Sequence, residues 1–349
     1  MENKAELKKL VPAEAPNRIF WPFVALALIL LFNLLLTSGF FHFEIKDGRI
    51  FGSVIDILNR GAPVMLIAIG MTLVYATGGV DLSVGAVMAI TGAISAALIE
   101  PAYLAGSSQG LPLIKILSVS LGAALIAGLW NGLLVAYAGI QPIVATLILM
   151  VAGRGLAQLI TEGKIIVFEH PKFQFIGSGA FLGLPFPVVL TLILAMATMA
   201  LTRSTSLGLF IEAIGANPIA SRLTGIRAQG IKIMVYVFSA FCAGLAGLII
   251  CSDIKAADAN NAGLFYELDA LAAVIIGGTM WGGRFTLLGS IIGALIIQTL
   301  TTTILMRGIA PEVTLIFKAV VILGVALIQS PQFRAFLFRG FRFVRRGGR

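Results

Sequence analysis

Residues 77–86 read TGGVDLSVGA, between apolar stretches running from Ala62 to Ala76 and from Val84 to Leu98. Two glycines, an aspartate and a serine interrupt what is otherwise membrane-grade sequence. The interruption is too short for a domain, so the flanking stretches are neighbouring helices joined by a break. Gly78 and Gly79 stop the first helix, and Asp81 or Ser83 can accept from the free N–H groups that open the second.

Composition extends this reading to the whole chain. Of 349 residues, 58% are hydrophobic and 12% charged, with a mean hydropathy of +1.01. A soluble domain carries about twice that share of charge. Apolar runs of about 20 residues, each able to cross a hydrocarbon core of about 30 Å, mark an all-α polytopic membrane protein. The alternating pattern of barrel strands is absent. The candidate spans are 20–38, 61–78, 83–99, 114–137, 143–161, 187–202, 232–251, 268–281, 286–306 and 312–330. The expected architecture is therefore a single domain over 1–349, with about ten transmembrane helices.

An even number of spans puts both termini on one side. That side holds fifteen of the 25 lysines and arginines, including Lys4, Arg18, Arg203, Arg222, Arg227 and Arg284. By the positive-inside rule it is the cytoplasm. The tail 1–19 is then cytoplasmic, and the basic tail 331–349 reads as an interfacial anchor on anionic lipid rather than a nucleic-acid site. No A-x-A cleavage signal follows the first apolar run, which reads as an uncleaved helix. The same topology places the 77–86 break near the inner surface. On the outer side, connections 39–60, 162–186 and 252–267 are long enough to carry short helices or a docking surface.

Glycine pairs at small-xxx-small spacing, Gly128 with Gly132 and Gly289 with Gly293, predict close helix packing. A weak internal echo links GGVDLSVG from Gly78 with GGTMWGGR from Gly277, at corresponding places in two pseudo-repeated halves. Paired glycine interruptions of this kind point to a translocation path.

The composition of motifs argues against catalysis. The chain has no G-x-x-x-x-G-K-[ST] loop, no H-E-x-x-H pair and no G-x-S-x-G elbow. Cys242 and Cys251 lie on opposite faces of one helix at about 100° per residue, and the two histidines lack ligand partners at metal spacing. No metal or cofactor is expected. Asp81, Glu100, Asp269 and Glu312 fall in or near spans without pairing at helix spacing.

The inner connection 203–231 has the grammar of short helices between turns. Asn217 can cap a helix that Pro218 begins. Phe210, Ile211, Ile214, Ile219 and Leu223 would form an apolar ridge bordered by Glu212, Arg222 and Arg227, suited to a partner's groove.

This segment, GLFIEAIGANPIASRLTGI, resembles the coupling segment of permease subunits of bacterial ABC importers. TGGVDLSVGA, NGLLVAYAGIQPIVATL at 131–147 and GGTMWGGRFTLLGSIIGAL at 277–295 resemble the ribose, xylose and galactose importer permeases, in that family's order, and the wording is nearest its galactofuranose branch. The resemblance implies an inner-membrane permease that pairs with a second permease, or a copy of itself. ABC ATPase subunits would drive it and a periplasmic sugar-binding protein would feed it. It carries the ATPase-coupling role onto Glu212, Ile214, Gly215, Asn217 and Arg222. Polar residues in or near spans are candidates for the sugar path: Asp81, Ser83, Asn131, Gln141, Thr146 and Gln298. Asp81 can equally be a helix cap. A stand-alone secondary transporter, or an ABC permease for a nucleoside or branched-chain amino acid, is the alternative. The first would need buried ion-binding carboxylates.

Overall fold

The computed structural model describes residues 19–36, 39–46, 49–105 and 111–329. The expected cytoplasmic tail 1–19, except Ile19, and the basic anchor 331–349 lie outside the described residues. The chain forms α1 (Phe20–Leu36), α2 (Ser53–Ala76), α3 (Val84–Leu104), α4 (Leu113–Ala136), α5 (Pro142–Ile160) and α6 (Pro171–Ser178). These are followed by α7 (Phe186–Ser204), α8 (Leu207–Ala216), α9 (Pro218–Leu223), α10 (Ala228–Ile254), α11 (Tyr266–Ile276), α12 (Leu287–Met306) and α13 (Pro311–Gln329). Seven of them, α2, α3, α4, α5, α7, α10 and α12, are long and apolar enough to cross a membrane.

α2 and α10 form the centre. α10 packs along α2, α3 and α4, while α12 fits against α2 and α11. Every residue of α2 from Gly61 to Val74 is buried, as an all-round apolar helix requires. The glycine pairs do what their spacing predicts. A β-carbon on Gly128 would sit 2.7 Å from the Tyr236 carbonyl oxygen of α10, and one on Gly132 would sit 2.9 Å from Ile233 Cα. Gly289 and Gly293 likewise let α12 approach the backbone of α11.

At the end of the bundle away from α8 and α9, short elements decorate the longer connections. A hairpin pairs β1 (Glu44–Lys46) with β2 (Arg49–Phe51). β3 (Ile166–Val167) pairs with β6 (Ala256–Ala257), and β4 (Ala180–Phe181) with β5 (Leu184–Pro185), all antiparallel.

Two segments lie deeper than the sequence suggests. After α2 ends at Ala76, the chain turns back, and the Asp81 N–H points at Met71 Sδ at 3.4 Å. Met71 is five residues inside α2, which places Asp81 about 7 Å up from the helix end. The break is therefore inside the bundle, not in a surface turn. The reason is packing: the break's polar groups find partners on α10 there.

In place of the expected span 268–281 stands α11, 11 residues from Tyr266 to Ile276, about 16 Å long and half of a hydrocarbon core. Its Ile276 end leads to Gly282 and Gly283, whose N–H groups donate to the Tyr75 and Ala76 carbonyls at the end of α2. Its other end thus lies near mid-bundle. The segment 255–265, expected as an outer surface loop, descends to meet it, and Gly263 packs on Gly85 in the first turn of α3.

Candidate functional site

The 77–86 break is closed by hydrogen bonds from four parts of the chain. Asp81 Oδ1 accepts from Ser83 N at 3.1 Å and from Ser83 Oγ at 2.6 Å, and Asp81 Oδ2 accepts from Ser239 Oγ of α10 at 2.8 Å. Asn131 of α4 donates through Nδ2 to Ser83 Oγ at 2.8 Å. Thr146 of α5 donates to the Val80 carbonyl at 3.4 Å and to its own Pro142 carbonyl at 3.0 Å. Tyr236 of α10 stands over Val80, with its hydroxyl 3.5 Å from the carbonyl oxygen.

Asp81, Ser83, Asn131 and Thr146, expected to line a path, are all 0% exposed in the chain. The structure brings these four together but closes them off, because their polar atoms are taken up by one another and by α10. Asn131 Oδ1 is the exception, buried without a partner. The other two path candidates lie elsewhere. Gln141 is exposed at the start of α5, and Gln298 is half-buried in α12, donating to Thr302 Oγ1 at 3.3 Å. Ser239 and Tyr236 escaped the sequence reading. Their only signal was two polar groups three residues apart, on one face of an apolar helix.

The second element is the α8–α9 pair. Asn217 caps α9, its Oδ1 accepting from Ile219 N and Ala220 N at 3.0 Å each, with Pro218 at the first helical position. Glu212 Oε1 accepts from Phe285 N at 3.4 Å. Ile214, expected on an exposed ridge, is 0% exposed, and Ile211 is buried beside it. α8 turns this apolar face into the helical bundle, since burial there removes both side chains from water. The outward apolar groups are Leu209, Ile219 at 74% and Leu223 at 85% exposure, with Arg222 also exposed.

Gly215 joins these two elements. A β-carbon on it would overlap the Ala76 carbonyl oxygen and stand 2.8 Å from the Gly282–Gly283 backbone, and the Gly282 and Gly283 N–H groups tie the two turns together through the Tyr75 and Ala76 carbonyls. The two glycine interruptions of the internal echo thus meet each other and α8 at one point. Gly78 and Gly282 hold positive φ, 79° and 59°, which glycine adopts without strain. A methyl at 215 would collide with backbone that cannot rotate away. Gly215→Ala is expected to cost about 1–3 kcal/mol by overpacking, read as a lower melting temperature.

Among the described residues no group of three or more His, Cys, Asp or Glu could hold a metal ion. The arrangement is one of packed turns and a short helix seated on them.

A family model described as "Branched-chain amino acid transport system / permease component" matches residues 53–326. The chain belongs to this permease family. Along 96% of its length the permease is 52% identical to the galactofuranose transporter permease protein YtfT of Escherichia coli, covering 98% of that protein. It is 36% identical to the fructose import permease protein FruF of Bifidobacterium longum, over 94% of this chain and 92% of that one. It is 35% identical to the ribose import permease protein RbsC of Haemophilus influenzae, over 88% and 92%. The permease is a multi-pass membrane transport subunit, and ATP hydrolysis lies on a separate chain.

Proposed function

We propose that the permease is the membrane-spanning subunit of an ATP-driven, binding-protein-dependent importer that moves a monosaccharide across the bacterial inner membrane. The observation that carries this is near-complete, 52% identical coverage of a galactofuranose transporter permease, joined to an α8–α9 unit that presents Ile219 and Leu223 outward. Ten membrane helices in two halves, both termini in the cytoplasm and a second permease alongside complete the proposal.

An ATPase groove receives Leu209, Ile219, Leu223 and Arg222. Gly215 and Glu212 pass the motion inward to the two glycine turns. Asp81, Ser83, Asn131 and Thr146 shape the route by holding the break. The alternative of a secondary transporter has less support, because Asp269 is paired with Lys318 at 2.6 Å and Asp81 is held by Ser83 and Ser239, which leaves Glu267 as a buried carboxylate with an unpartnered oxygen.

Two measurements test the reading. In gentle detergent, the permease should co-purify with an ATPase, and Ile219→Arg with Leu223→Arg should abolish that while the fold remains. Retention of the ATPase by the double variant would move the coupling site elsewhere. In proteoliposomes holding the full assembly, labelled galactose or ribose should accumulate with ATP and binding protein. Uptake of leucine in place of either sugar would sink the substrate class.

A further inference from the structure

Non-helical backbone at membrane depth persists only inside protein or beside water. One side of the descending segment 255–265 meets the first condition. Ala259 and Gly263 are buried, and Gly263 rests on α3. The other side is not covered by this chain, since Asn260, Asn261, Leu264 and Phe265 are exposed.

α5 runs beside that uncovered side. Arg154 Nη1 donates to the Ala262 carbonyl at 2.5 Å and to the Ala259 carbonyl at 3.3 Å, which anchors the segment. Gln158 Nε2 donates to Asn260 Oδ1 at 2.8 Å. Arg154 is six residues and Gln158 two residues before the end of α5 at Ile160, so about 9 Å and 3 Å inside that end. Ile148, Leu156 and Leu159, on another face of the same helix, are exposed and apolar. α5 therefore carries one surface fit for hydrocarbon and one, at Arg154 and Gln158, that hydrocarbon would penalise.

Phe265 adds a further mark. Its φ is 65°, a left-handed conformation that costs a bulky side chain about 1–3 kcal/mol. The residue is 44% exposed, so this chain covers it only in part.

We propose that Gln158, Asn260, Asn261 and Phe265 line the route of a neutral, polyhydroxylated sugar, facing a second permease across water. The inference deepens the importer reading and rests on it. The three amides donate to and accept from sugar hydroxyls, and the Phe265 ring packs on the apolar C–H face of the sugar ring. The second permease covers the segment's exposed backbone. The neighbouring charges already have partners within the chain: Arg154 donates to two carbonyls, and the Asp258 carboxylate accepts from Asn260 N, Asn261 N and Asn261 Nδ2.

Single cysteines test this in the reconstituted importer. The native thiols, Cys242 and Cys251, are both buried, so they stay in place. Gln158→Cys and Asn260→Cys are compared with Leu159→Cys, which lies at the same depth on the lipid-type surface. The probe is a membrane-impermeant, negatively charged methanethiosulfonate, which reacts with thiolate and so reports contact with water. The two route positions should be modified about tenfold faster than the control, as thiolate access dictates. Modification should block uptake, and the transported sugar should slow it. Equal rates at all three positions, or full modification with uptake intact, would overturn the placement.

Phe265→Gly supplies an independent readout. Glycine relieves the left-handed strain, so the melting temperature should hold or rise while the KM for sugar uptake increases several-fold. An unchanged KM would remove Phe265 from the route. If the unmodified assembly moves no sugar at all, the importer reading fails first and takes this proposal with it.

Discussion

Replacing Asp269 with alanine should destabilise the permease by about 3–5 kcal/mol, while replacing Asp269 and Lys318 together with leucine should restore most of that loss. The pair bridges α11 and α13 at 2.6 Å, with side chains 15% and 16% exposed. Removing the acid leaves an ammonium inside apolar surroundings, and this uncompensated charge dominates the cost. Removing both charges leaves an apolar contact that needs no hydration. Thermal unfolding of the purified wild type, the single variant and the double variant reads the difference directly. If the double variant is as unstable as Asp269→Ala, the two charges are not energetically linked in the fold.

The second large effect belongs to Asp81. In Asp81→Ala, three donors lose their acceptor at once: Ser83 N, Ser83 Oγ and Ser239 Oγ. All lie where water does not reach. Each orphaned buried donor costs about 1–3 kcal/mol, and hydroxyls that turn to other acceptors recover part of it. A net loss of about 2–4 kcal/mol is expected on that basis, together with loss of transport. Asp81→Asn keeps an oxygen for Ser83, and the Ser239 hydroxyl can rotate to accept from the new amide. It should retain most of the stability and of the transport. Comparable damage in both variants would show that the negative charge itself is required, as a role in solute binding would demand.

Much of the architecture was legible from apolar run length alone, because a helix that crosses hydrocarbon announces itself in about 20 consecutive residues. Glycine spacing correctly named the close approaches at Gly128 and Gly293, and the cap at Asn217 followed from its neighbour Pro218. Depth was not legible. Hydropathy places a polar break at the nearest surface, whereas the 77–86 break is drawn inward by Ser239, 158 residues away in sequence. The segment 255–265 looked like an ordinary loop for the same reason. No local signal tells a chain that leaves the membrane from one that turns back into it.

Orientation was likewise hidden for α8. An amphipathic helix shows which residues are apolar, but not which of two apolar surfaces is covered by its own chain. Ile214 was expected on the outward ridge and is sealed inside, which leaves Ile219 and Leu223 as outward apolar side chains. The Asp269–Lys318 pair was invisible because only the packing of α13 on α11 brings the two residues together.

The meeting of Gly215 with both glycine turns has a mechanical consequence. Side chains at a joint act as springs: they change rotamer and absorb small displacements before the backbone beyond them moves. At this joint Gly215 leaves no room for a side chain against the Ala76 carbonyl and the Gly282–Gly283 backbone, and those two turns are joined by main-chain hydrogen bonds, so there is little slack to take up. A displacement of α8 of even a fraction of an ångström must be delivered at once to the turn after α2 and to the turn after α11. The turn after α2 and the turn after α11 are therefore geared together, so that neither can shift without driving the other in phase.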